Sequence, residues 1–237
     1  MPAYQLTEPA VAAFVIIPLL LLAVLVWGIV AVSRRAGDSP EAARRAGVIA
    51  AVVAIAWMAM TWIAGAAGVL RAWDRRPPPF AFLIVGIVVV SCTLAFSRAG
   101  RHLATLAPLW ALVAVQSFRL PLELAMHSMY ERGIMPVEMT YTGRNFDIVT
   151  GATALIVAAL VFVGVGGRRL VAAWNVLGFA LLLNVVIVAI LSTPVFSYFG
   201  SEHLNTFVTY VPFVWLPAVM VSAALAGHLI IARALVR

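Results

Sequence analysis

The stretch AVAAFVIIPLLLLAVLVWGIVAVS, residues 10–33, decides the fold class. It holds no charged side chain and exceeds the roughly 20 residues a helix needs to cross a bilayer core. Comparable apolar runs recur at 46–70, 80–97, 103–131, 146–167, 170–193 and 207–233. The pattern predicts an all-α polytopic membrane protein, a seven-transmembrane-helix bundle forming one membrane domain over residues 1–237. The third run, FAFLIVGIVVVSCTLAF, is short and β-branched. In lipid it must still be helical, because a lone strand would leave its backbone groups unpaired.

Composition agrees. The chain is 64% hydrophobic and 11% charged, with mean hydropathy +1.07, whereas soluble domains carry about 25% charged residues. All the positive charge is arginine; without lysine, a retinal Schiff base is excluded. The pI of 10.7 does not point to nucleic acid, because the arginines stand singly or in pairs at span ends, where topology and headgroups use them. Cys92 is the only cysteine, so no intrachain disulfide forms. High Ala, Val and Arg content suits a GC-rich bacterial genome, which places the expected location in a bacterial cytoplasmic (inner) membrane, multi-pass. The opening MPAYQLTEP lacks the basic n-region of a cleavable signal, and the run after it is too long for a signal h-region.

Arginine bias orients the spans. With the N-terminus outside, the inner segments hold Arg34, Arg35, Arg44, Arg45, Arg98, Arg101, Arg168, Arg169, Arg233 and Arg237. The outer ones hold Arg71, Arg75, Arg76, Arg132 and Arg144. The excess predicts N-terminus outside and C-terminus inside. Ser39, Pro40 and Glu41 form a helix-start signal for the second span, and Pro77, Pro78 and Pro79 a stiff entry to the third. Ala64 with Gly68, and Ala223 with Gly227, are small pairs suited to close helix approach.

Charge inside the fourth span singles it out. At about 100° per residue, Gln116, Arg119, Glu123, His127 and Tyr130 fall within an arc of roughly 80°. Arg119 with Glu123, and Glu123 with His127, stand four apart and are expected to touch. Pro121 removes a backbone donor beside them. A central arginine or acidic residue costs about 2.5–3.5 kcal/mol to insert. The stripe is therefore either a structural ion pair or the wall of a polar pocket. On the predicted topology it opens outward.

The following loop carries Arg144, Asn145 and Asp147. These are candidates to cap the fifth span, and Asp147, Thr150 and Thr153 are candidates to face the stripe. The segment F-R-x-x-x-E-x-x-x-H with M-T-Y-x-G-R-N-F-D-I-x-T-G-x-T-A, residues 118–154, resembles stretches in uncharacterised bacterial integral membrane proteins. That resemblance implies no reaction. A third outer element, 192–207, carries Glu202 and His203 and is either an interfacial segment or a lid over the stripe. Asn175 and Asn184 are placed to bond between helices. His102 and His228 fall on the inner side and receive no role.

Three functions remain open. One is a pocket formed by Gln116, Arg119, Glu123, His127, Tyr130, Arg144, Asn145 and Asp147, binding and by extension transporting a small anionic molecule or ion; a sensor would look the same. Another is a membrane-embedded hydrolase of lipid or amphiphile with zinc on Glu123, His127, Asp147 and His203. Glu-x-x-x-His is a weaker signal than His-Glu-x-x-His, and Arg119 opposes a cation. The last is a scaffold, a homo-oligomer or a subunit with a membrane partner, in which the ion pair is structural.

Overall fold

The structure is a computed structural model that describes residues 8–236; residues 1–7 of the N-terminal stretch, and Arg237, lie outside the described residues. Among these, nine α-helices form and no strand: α1 Pro9–Arg35, α2 Pro40–Ala66, α3 Pro79–Phe96, α4 Arg98–Leu106, α5 Leu109–Val115, α6 Arg119–Glu131, α7 Asp147–Phe162, α8 Arg168–Leu191 and α9 Ser222–Leu235. The chain is a polytopic helical bundle. Its surface is apolar where lipid would lie, with Trp27 73% and Phe82 65% exposed, as expected of helices facing acyl chains rather than water.

Local chemistry sets the boundaries. Ser39 Oγ accepts the Ala42 backbone N–H, and Pro40 and Glu41 open α2. The helix ends at Gly68, whose φ of 76° favours glycine. Gly68 thus ends a helix rather than packing against one. Pro78 precedes α3 in extended backbone. Ser97 closes α3 and caps α4 through its Oγ, which accepts the Gly100 N–H.

The fourth expected span differs from a single helix over 103–131. Ala107 and Pro108 are both extended, with ψ of 141° and 135°, because the residue before a proline is pushed out of helical geometry. α4 is therefore a separate short helix with Gly100, Leu103 and Ala104 buried. The membrane-length element is Leu109–Glu131, tightened by a 3-10 turn at Gln116–Phe118. The last expected span also starts late: residues 207–215 are a 3-10 turn and loop, and the helix begins as a π-helical segment at Leu216–Val221 before α9.

Among the described residues, six helical elements are long and apolar enough to cross a membrane; the fifth expected span, α7, has 16 residues and falls short of that length. Polar contacts nonetheless gather at two ends of the bundle. At one end Arg98 pairs with Asp38 at 2.8 Å, Arg35 donates to Leu106 O, and Arg168 donates to Ala234 O and Leu235 O. At the other, Arg132 pairs with Glu8, Arg71 lies over the Tyr210 ring, and Asn184 donates to Arg144 O. Between them runs a core that includes the Phe14–Phe213 edge contact and a bond from Trp57 Nε1 to Ala218 O.

Candidate functional site

The stripe on α6 is divided. Gln116, Arg119 and Glu123 are buried, His127 is half-buried and Tyr130 is exposed at the surface. No bond joins Arg119 to Glu123 or Glu123 to His127 among those formed by the described residues. Their partners come instead from the segment after α6. Arg119 Nη1 donates to Asp147 Oδ1 at 2.9 Å. Asn145 Nδ2 donates to Glu123 Oε1 at 2.8 Å and Oε2 at 2.9 Å, and lies 3.0 Å from Met139 O. Asn145 Oδ1 accepts the Asp147 backbone N–H at 3.0 Å, so one side chain both ties down the start of α7 and holds the carboxylate.

This geometry explains why α7 is short. Glu123 lies two turns before the end of α6, about 12 Å below it at 1.5 Å per residue. To reach it, residues 134–145 must fold back into the bundle, and Met135, Met139, Thr140 and Asn145 are buried. Irregular backbone is tolerated at that depth only when protein surrounds it. α7 then starts deep, at Asp147. It approaches α6 closely because Gly151 has no side chain: a Cβ there would meet the backbone of Arg119 and Leu120.

Beside the cluster lies a cavity of about 160 Å³ between α3, α6, α8 and α9. Arg119, Glu123, Asn145 and Asp147 are among the residues around it, but the surface it presents is almost wholly apolar, from Phe80, Ile87, Leu182, Val186, Met220 and Ala224 among others. Val88 and Leu183, which also line it, are 48% and 45% exposed, so the cavity reaches the outer apolar surface of the bundle.

The remaining candidates stand elsewhere. His127 stacks on Tyr141 at 4.6 Å and sits 3.6 Å from Glu131. Arg144 is exposed and lies over the Phe199 ring at 5.0 Å. His203 Nδ1 lies 3.0 Å from Glu138 Oε2, so the 192–207 segment closes on the loop after α6 rather than on the stripe. A second hollow, about 560 Å³, lies there between Glu138, Arg144, Asn184 and Phe199. Among the described residues, no three His, Cys, Asp or Glu side chains are grouped to hold a metal ion. Glu123, His127, Asp147 and His203 do not converge because each histidine faces a different glutamate.

Two residues with a place here escaped sequence reading. Glu138 sits in an aperiodic loop. His228, set aside as remote, is buried, with its Nδ1 2.8 Å from Asn175 Oδ1, while Asn175 Nδ2 donates to His228 O at 3.3 Å. Asn175 thus bonds between α8 and α9 as expected, whereas Asn184 reaches Arg144 O in the loop before α7 instead of another helix.

No protein-family model, curated protein or solved structure matches the chain.

Proposed function

We propose that this is a seven-span protein of a bacterial cytoplasmic membrane, N-terminus outside and C-terminus inside, that binds a small amphiphile within its bundle. The ligand's apolar body occupies the cavity between α3 and α8, and its polar end lies against Arg119, Glu123 and Asn145. The observation that carries this reading is an almost wholly apolar cavity set against buried ionisable groups, which a ligand's polar end would engage. Sites of that kind orient a mostly apolar ligand through a few placed polar atoms.

Asp147 already neutralises Arg119. This favours an amphiphile with a neutral or weakly acidic head over a free inorganic anion, which would find no uncompensated charge. Val88 and Leu183 at the rim favour entry from the lipid side. The two polar ends of the bundle support seven crossings, with α7 reaching the outer side through the folded-back 134–145 segment.

The ligand test uses a diazirine-bearing long-chain fatty acid in nanodiscs. Label is expected on α3 and α8 peptides and should fall when Ala224→Phe fills the cavity. Label spread evenly over lipid-facing helices, unchanged by that variant, removes the reading. Titration with phosphate and acetate separates out the free-anion reading, for which saturable binding abolished by Arg119→Gln is required. Topology is tested on a Cys92→Ser background: an impermeant maleimide should label Arg76→Cys, but not Asp38→Cys, in intact cells.

A further inference from the structure

Gln116, Arg119, Thr150 and His228 are each 1% exposed, yet Gln116 Oε1, Arg119 Nε, Arg119 Nη2, Thr150 Oγ1 and His228 Nε2 have no hydrogen-bond partner among the described residues. Buried polar atoms are almost always satisfied by protein or by ordered water.

Contacts around the bundle enclose these atoms. Gln116 and Arg119 are one turn apart on the same span. Arg119 bonds Asp147, and Thr150 follows one turn later on α7. The Thr150 methyl and the His228 imidazole flank Gly178 of α8: a Cβ there would lie 2.8 Å from Thr150 Cγ2, 2.7 Å from His228 Cε1 and 3.2 Å from His228 Nε2. Gly227, next to His228 on α9, packs in turn against the Gln116 amide. Two glycines thus seat the His228 ring and the nitrogen side of the Gln116 amide, with Gln116 Oε1 farther from Gly227.

Chemistry then selects the ligand. Asn175 Nδ2 is directed at His228 O, which turns Asn175 Oδ1 toward the imidazole. An amide oxygen only accepts, so His228 Nδ1 carries the hydrogen and Nε2 of the neutral ring presents a lone pair. The set is therefore two donors on Arg119 and two acceptors, on Gln116 and His228, with a Thr150 hydroxyl that can play either part. A cation would be repelled by Arg119. An anion would face the lone pairs of Gln116 and His228. A neutral molecule that both donates and accepts satisfies all four.

We propose that water is bound between α6, α7, α8 and α9, accepting from Arg119 Nε and Nη2 and donating to Gln116 Oε1 and His228 Nε2. This site shares Arg119 with the amphiphile cavity, whose lining includes none of Gln116, Thr150 or His228. It hydrates the guanidinium on the edge that Asp147 leaves free.

The test is magic-angle-spinning NMR of ¹⁵N-histidine protein in liposomes. His102→Gln, His127→Gln and His203→Gln together leave one imidazole; the difference between native protein and His228→Phe assigns it independently. The expected spectrum has a protonated Nδ1, an unprotonated Nε2 shifted as for a hydrogen-bond acceptor, and rapid magnetisation transfer from water. Gly178→Ala should slow that transfer severalfold. An Nε2 at the position of a free imidazole nitrogen, a protonated Nε2, or absent water transfer in native protein overturns the proposal.

Discussion

Asn145 donates its side-chain amide to both carboxylate oxygens of Glu123, from a position 22 residues later in the chain. The bond ties the folded-back segment to the middle of a membrane-length helix and fixes where α7 begins. Fold and candidate site thus share one fastening.

Removing it should unfasten both. Asn145→Ala leaves Glu123 buried without the donor that serves both its oxygens, and a buried polar group left unsatisfied costs about 1–3 kcal/mol. A loss of about 2–3 kcal/mol is expected in detergent unfolding, with new proteolytic cleavage within 134–146. The double variant Glu123→Met with Asn145→Leu should recover much of the loss, since it replaces both partners by apolar groups. Unchanged stability in Asn145→Ala would show that the carboxylate is served otherwise.

The helices and the buried charge on α6 were legible in the sequence because both follow from local rules: run length, and the cost of charge in lipid. The partners were not. A spacing of four makes Arg119 and Glu123 neighbours on a helix surface, but each turned instead to a residue from a loop that no periodicity marks. The break at Pro108 carried a local signal, hidden inside a run whose hydropathy continued across it. His228 was misplaced because the last span was taken to begin at 207. In a helix that runs from Leu216 to Leu235, His228 is buried against α8 at Asn175 and Gly178.

Metal chelation should leave the protein unchanged. The histidines named as ligands are drawn to Glu131 and Glu138 on separate elements, and the three converging protein ligands of a catalytic zinc are not brought together among the described residues. Purified protein is expected to contain sub-stoichiometric zinc, with the same unfolding midpoint before and after EDTA. Stoichiometric zinc lost with His203→Ala would contradict this arrangement.

Close backbone contact between α6 and α7 makes Gly151 a sensitive position. A methyl group there meets backbone, which cannot swing aside as a side chain can: the Arg119 carbonyl carbon at 2.9 Å and Leu120 Cα at 3.0 Å. Overpacking typically costs about 1–3 kcal/mol. Gly151→Ala is expected near the top of that range and Gly151→Val beyond it. Gly167→Ala, where a Cβ meets nothing within 4 Å, should be near neutral in the same assay.

Asp147 is the counter-charge of Arg119, and a double-mutant cycle separates its role from simple stabilisation. Both side chains are almost wholly buried, at 1% and 7% exposure, and 2.9 Å apart. Breaking such a pair from one side strands a charge and costs about 3–5 kcal/mol. Removing both replaces the pair by apolar packing and often costs little. Arg119→Met and Asp147→Leu should each lower the unfolding midpoint strongly, while the double variant stands well above either. Fatty-acid labelling adds a functional axis: the double variant should keep an intact apolar cavity yet show a changed preference between the fatty acid and the matching alcohol. Additive single effects would mean that the two groups are coupled through neither charge nor contact. Strong coupling with unchanged head-group preference would mean that the pair holds the bundle and takes no part in binding.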